Sequence, residues 1–381
     1  IQANNTITIR GDSSDGLHRP RDLDFHSSPE RENELWVINE VSAMFDGANG
    51  GSTVTYYNAG SESQWAEYRK DSFSAHFMHT ASAIAFSENG TFANALDVQD
   101  ANDIPGGYFS GSTLWDSDTS IYARVNQNGP LLGSHWDMIH QTPFSIGIAG
   151  EVDNIYWLFD GFHSTIVKYD FQQPHEHGGD DHSDGLVYRH DDVQVMRESG
   201  LSSHIDIDEN TGWLYICDTG NQRLLRMNIH SGEFAENLDT YGEYLEVYAR
   251  IEGTEWEEIP SSDLTFPTGL DIHNDRLLVS DFATGDIIIF DIEDEQPVEL
   301  GKFETGLTEE VMGIKVSHDG SIWYVCTNAN ELHQVTTILM GDIDGDGVYT
   351  LVDFILCAYY LMGEFEIAQE NLISVDVNYD N

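Results

Sequence analysis

The reading of the fold turns on Ile205-Asp-Ile-Asp-Glu-Asn-Thr-Gly-Trp-Leu-Tyr-Ile-Cys-Asp-Thr-Gly-Asn-Gln-Arg-Leu-Leu-Arg-Met-Asn228. Three short apolar runs, 205–207, 213–217 and 224–227, are separated by turn-forming Asn, Gly, Asp and Thr. Runs this short, bounded this way, read as antiparallel strands rather than helix. The same grammar recurs. A first strand is found again at Pro20–Phe25, Ala81–Phe86, Pro143–Ile148, Pro267–Ile272 and Met312–Val316. A second strand follows at Leu35–Asn39, Ile155–Asp160, Leu277–Asp281 and Ile322–Thr327, and a third at Thr165–Asp170 and Asp286–Asp291. In the second repeat only Gly111–Trp115 offers itself as the second strand.

The central Leu or Ile of the first strand falls at 23, 84, 146, 205, 270 and 314, giving steps of 61, 62, 59, 65 and 44. Repeats of roughly 40–50 residues, each a small sheet, are the mark of a β-propeller, and longer steps leave room for insertions on one rim. The last repeat supplies three strands, through Leu332–Thr337. The N-terminal run Thr6–Arg10 alternates like a strand and has no repeat of its own, so it is expected to be the fourth strand of the last blade and to seal the ring. The expected fold is all-β: a six-bladed propeller over residues 1–338, followed by a small α-helical module over 339–381.

Residues 205–228 and 267–291 resemble NHL repeats, and more loosely so does most of 5–338. The resemblance implies that Asp218 or Asp281, at the end of a second strand, braces the following turn together with Asn221 and Arg223. Ordinary turn chemistry accounts for any one of these residues taken singly.

Asp342-Ile-Asp344-Gly-Asp346-Gly-Val348-Tyr-Thr350-Leu-Val-Asp353 has the spacing of a twelve-residue calcium loop. Asp342, Asp344 and Asp346 fall at positions 1, 3 and 5, the Val348 carbonyl at 7, Thr350 at 9 and Asp353 at 12. Ca²⁺ takes six to eight oxygens, which this pattern supplies. A closing Asp and a following apolar helix resemble a dockerin. Dockerins carry two such loops, and Asp376, Asn378 and Asp380 match positions 1, 3 and 5 of a second whose twelfth position would fall beyond Asn381. The resemblance implies docking on a cohesin-like protein partner or within an extracellular assembly, self-association included. A calcium-stapled cap on the propeller is the other reading.

Sixteen histidines equal the count of Lys plus Arg. His18, His79, His140 and His204 lie near the first strands of four blades, and first strands line a propeller's channel. A channel site for Zn²⁺ or Cu²⁺ built from them would be similar to that of peptidyl-hydroxyglycine amidating lyases, which are NHL-type propellers with histidine-bound zinc. That resemblance implies a lyase, and more broadly a metal-dependent lyase or hydrolase becomes the alternative to a binding protein. The offsets of the four from their anchors are 5, 5, 6 and 1, so they are not equivalent positions, and no Tyr or Arg takes a catalytic role from the sequence. A second tract, His175-Glu-His177-Gly-Gly-Asp-Asp-His182 with His190-Asp-Asp192, reads either as a transition-metal ligand set or as a solvated insertion.

The formal net charge is −51, from 67 acidic and 16 basic residues. A polyanion binder needs clustered cations, so nucleic acid is excluded as a partner. Self-repulsion of this size is relieved by salt or divalent cations, which suits a secreted protein in a saline extracellular medium; simple solubility is the plainer account. No run of 18 apolar residues exists, so no membrane-spanning helix is expected, and the chain opens at Ile1 like a processed mature end. Asn4 and Asn89 stand in N-x-Thr sequons that would accept glycan in a secreted protein. Cys217 and Cys326 sit in apolar strands of different repeats and are expected as buried thiols, not a disulfide. No nucleophile elbow, P-loop, dinucleotide fingerprint or His-Glu-x-x-His occurs.

Overall fold

The computed structural model describes residues 4–41, 50–173, 175–338 and Leu356. Six sheets follow one another along the chain, antiparallel except for one pair of strands. Blade one is built from Pro20–Phe25, Leu35–Asn39, Ser52–Tyr57 and Trp65–Arg69. Blade two contains Ala81–Phe86, Phe92–Leu96, Ser112–Trp115 and His135–Ile139. Its second strand is therefore Phe92–Leu96, and the Gly111–Trp115 run expected there holds its third, Ser112–Trp115. Phe92-Ala-Asn-Ala-Leu96 lacks the β-branched residues that mark the other second strands, which hides it in the sequence.

Blade three runs Ser145–Gly150, Ile155–Asp160, Thr165–Asp170 and Leu186–His190. Val247–Glu252 then adds to its outer edge in parallel, and Glu233–Asn237 follows, making a six-stranded sheet. Those two strands come from an excursion inside blade four, whose own strands are Ile205–Asp208, Trp213–Asp218, Arg223–Asn228 and Trp256–Ile259. Blade five is Pro267–His273, Arg276–Asp281, Asp286–Asp291 and Val298–Glu304. Blade six is Val311–Val316, Ile322–Cys326 and Glu331–Ile338, closed by Asn4–Gly11. The closing strand pairs antiparallel, Asn5 opposite Thr337 and Ile9 opposite His333, as the sequence implied.

The innermost strands touch in order around a circle, the last returning to the first. Strand side chains alternate between faces, so each blade can bury one face against its predecessor and the other against its successor. Six apolar clusters result, one at each interface. Trp36 and Ile38 meet Phe92 and Trp115 between blades one and two. Ala95 and Leu114 meet Tyr156 and Leu158 between two and three, and Trp157 and Phe159 meet Leu214 and Ile216 between three and four. Leu224 meets Leu277 and Val279, Ile287 meets Ile314 and Tyr324, and Val37 and Val54 meet Trp323 and Val325. Cys217 and Cys326 are free and buried in two different clusters.

The NHL-like braces form. Asp218 Oδ2 accepts from Asn221 Nδ2 at 2.8 Å and Arg223 Nε at 2.7 Å, while Oδ1 takes the Met196 amide. Asp281 accepts the amides of Phe266 and Thr284, and Asp160 those of Phe162 and His163. Residues 339–355 and 357–381, and with them Asp342, Asp344, Asp346, Val348, Thr350, Asp353, Asp376, Asn378 and Asp380, lie outside the described residues.

Candidate functional site

The first strands bring charged side chains to the axis. Lys315 of blade six places Nζ 2.9 Å from Asp271 Oδ1 and 3.3 Å from Asp206 Oδ2, with Asp24 at 4.0 Å. Burial opposes the ammonium, yet the carboxylates of Asp206, Asp271 and Asp24 prevail and push its pKa well up. Burial raises Asp24 to about 6 and Asp271 to about 7, with Lys315 pulling the other way. A half-buried lysine among three carboxylates ties blades one, four, five and six together.

Further along the axis, His204 Nδ1 lies 3.2 Å from Asp22 Oδ1. Burial lowers His204 to about 3 and raises Asp22 well above the usual carboxylate range, so the contact is not an ion pair. Arg21 then spans from Glu40, at 2.8 Å, to Ser202 Oγ, at 3.2 Å.

The other three histidines of the expected channel set stand elsewhere. The His18 amide donates to Asn39, and its Nδ1 is buried without a hydrogen-bond partner. His79 contacts Thr80 through Nδ1 and Asp103 through Nε2. His140 leaves blade two just past its outer strand and meets Glu243. No three of the four bring ring nitrogens within 4.8 Å of one another. Among the glycan candidates, Asn4 begins the closing strand; Asn89 is exposed, and its Nδ2 donates to Asn154.

His140 leads instead to a cleft on the rim. Its volume is about 360 Å³, and its walls come from insertions: the short helix Ser74–Phe77, Phe109, the loop before His135, residues 179–183 and residues 242–244. These are the segments that lengthen the early repeats beyond a minimal blade. His140 Nδ1 is held 2.8 Å from Glu243 Oε2, while its amide donates to Glu243 Oε1 at 2.7 Å. His140 Nε2 faces His76 Nε2 at 3.3 Å. Phe109 stacks on His140 and Phe77 on His135, with ring centres 3.6 and 3.7 Å apart. His135 sets Nδ1 2.9 Å from the Leu132 carbonyl and Nε2 3.0 Å from the Gly179 carbonyl, and as a neutral ring it donates to one of the two. Burial holds His76 at about 4 and His135 at about 3, and lowers His140 despite Glu243. Three of the cleft's imidazoles are thus neutral near pH 7. His182 differs: burial works against its charge, but its contact with Asp137 wins and raises its pKa.

The cleft therefore offers neutral imidazole donors and acceptors, two aromatic faces and an acidic lip at Asp180 and Asp181. Sequence reasoning flagged His140 and His182 but not His76, His135 or Glu243. The signal available was the position of these residues in the extra length of the repeats.

No family model matches the chain, and no curated protein does. Solved structures are similar in fold. An auxiliary nutrient binding protein from Bacteroides ovatus superposes with a TM-score of 0.53 at 9% identity, over 88% of this chain and 77% of that one. Its counterpart from Bacteroides thetaiotaomicron gives 0.54 at 10% identity with the same coverage. At such identities the likeness shows the fold: this chain is a six-bladed β-propeller.

Proposed function

We propose that the chain is a secreted binding protein whose rim cleft between blades two and three is the recognition site. In this reading the segment 339–381, loaded with Ca²⁺, attaches it to a protein partner or an extracellular structure. The observation that carries the first part is the contrast between the two polar regions. The axis is satisfied by its own ions around Lys315, whereas the rim gathers neutral imidazoles and stacked aromatics around open space.

Such a wall suits an uncharged, hydroxyl-rich ligand of sugar size. Imidazole nitrogens exchange hydrogen bonds with hydroxyls, Phe109 and Tyr244 present apolar faces, and Asp180, Asp181 and Glu243 repel anions. The two structural neighbours named for nutrient binding share the fold, and the ligand class here rests on the cleft alone. Saturation-transfer NMR with a panel of neutral and acidic trisaccharides tests it. Neutral members are expected to bind, and Phe109→Ala with His140→Ala to abolish binding; signal from acidic members alone overturns the reading.

One observation favours a second reading, a metal-dependent lyase or hydrolase. The His76 and His140 Nε2 atoms, 3.3 Å apart, have the spacing of two ligands on one zinc ion, and Glu243 orients His140 from behind. Stoichiometric zinc lost with His76→Gln would support it.

A further inference from the structure

Beside the cleft, and joined to it through His182, lies a cluster that spans two blades. Asp137 sits on the outer strand of blade two, His135–Ile139. His175 and Asp184 belong to the loop that joins Thr165–Asp170 to Leu186–His190 in blade three. His175 Nε2 lies 2.9 Å from Asp184 Oδ1 and 3.7 Å from Asp137 Oδ2. One ligand-type atom from each of the three falls within 4.8 Å of the others, the one such trio among the described residues.

The Asp137 carboxylate is the telling group. Its side chain is fully buried. Oδ1 accepts from His182 Nδ1 and from the Met138 amide, so the plane of the carboxylate is fixed. Oδ2 points toward His175 and has no hydrogen-bond partner. A buried carboxylate oxygen left unsatisfied is costly, and native proteins seldom leave one without a reason. A cation supplies that reason.

We propose that Asp137, His175 and Asp184 bind a divalent first-row metal ion of the Zn²⁺ type. One imidazole and two carboxylates form a three-ligand set with room for water. Zn–N and Zn–O bonds of about 2.0–2.2 Å place ligand atoms roughly 3–3.5 Å apart. The observed 2.9 and 3.7 Å bracket that range. For Nε2 to bind the metal, the single proton of the neutral ring, which faces Asp184 from Nε2, moves to Nδ1 and leaves the Nε2 lone pair free. His182, held on the far oxygen of Asp137, is a positioning residue that orients the carboxylate. The ion would pin the 171–185 loop to blade two, and that loop carries Asp180–Ser183, the lip of the cleft.

The test is titration of the whole chain with Co²⁺ followed by its visible absorption, with Zn²⁺ in competition. Millimolar Ca²⁺ is present throughout to fill calcium loops. One Co²⁺ per chain is expected, displaced by Zn²⁺. His175→Gln and Asp137→Asn should each weaken it by at least about 10-fold, the loss that follows from removing even a group that only hydrogen-bonds a ligand. His76→Gln should leave it intact. Zn²⁺ should also slow amide exchange in 175–185. If Asp137→Asn does not fold, Asp184→Asn, at a half-buried loop position, serves in its place. Absence of a bound ion, or binding indifferent to both His175→Gln and Asp137→Asn, overturns the proposal. So does binding lost with His76→Gln alone, which would place the ion in the cleft.

Discussion

Lys315 shows how much a single side chain can hold in a ring. Its ammonium is shared by carboxylates of three other blades. Lys315→Met would leave three carboxylates without their cation, and because Asp24 and Asp206 are only half-buried the loss should fall below the about 3–5 kcal/mol of a fully buried pair. Asp24 and Asp271 already take protons near pH 6 and 7, and losing the lysine raises them further. Their charged forms are the destabilising ones, so acid relieves the defect. Thermal melts should show a large deficit at pH 8 that shrinks below about pH 6; an equal deficit at both values would contradict this assignment. His204 gives the opposite sign. The unfolded imidazole protonates near 6.5 and the folded one only near about 3. Stability contributed by neutral His204 is complete above 6.5 and is lost as pH falls toward 3, by up to about 1.4 kcal/mol per pH unit. Denaturant unfolding of His204→Gln should therefore show a shallower acid limb than the parent chain. None of this was legible from composition. In a chain with 67 acidic residues, nothing in the sequence distinguishes Asp24, Asp206 and Asp271 until the first strands are laid side by side.

At the scale of elements, the sequence was most readable where a strand carries β-branched and aromatic residues between turn formers. Trp213–Asp218 and Arg276–Asp281 fall within a residue or so of their expected bounds. The closing strand was legible because Thr6–Arg10 alternates and had no partner of its own. Phe92–Leu96 was not, since alanine and asparagine carry little strand signal. Glu233–Asn237 and Val247–Glu252 were missed for another reason: they pair outside their own repeat, and local pattern cannot report a parallel addition to the neighbouring blade. The cleft was hidden with them, because Glu243 lies between these two strands. Deleting residues 1–11 should unseal the ring. Hydrogen exchange in Glu331–Ile338 is expected to rise by orders of magnitude, with a lower melting temperature; unchanged protection there would mean that the N-terminal strand is dispensable.

For the whole molecule, stability is divided among six interfaces while a charge of −51 pushes the ring apart. Raising NaCl from 0.05 to 1 M shortens the Debye length from more than 10 Å to about 3 Å, and the melting temperature should climb by several degrees. A salt-independent melt in scanning calorimetry would show that the charges are too dispersed to matter. Calcium belongs to this scale too: chelation is expected to unfold 341–381 while the propeller persists, and hydrogen exchange that leaves the tail unchanged would argue against a metal-dependent module. The axis is held by ion pairs around Lys315, and the rim around His76 and His140 is left open to a ligand. Calorimetric titration of a neutral trisaccharide into the parent chain, Phe109→Ala and Lys315→Met tests this division most directly. Binding should vanish with Phe109→Ala and survive in folded Lys315→Met; binding that survives the first change and vanishes with the second would put the ligand in the channel and contradict the account.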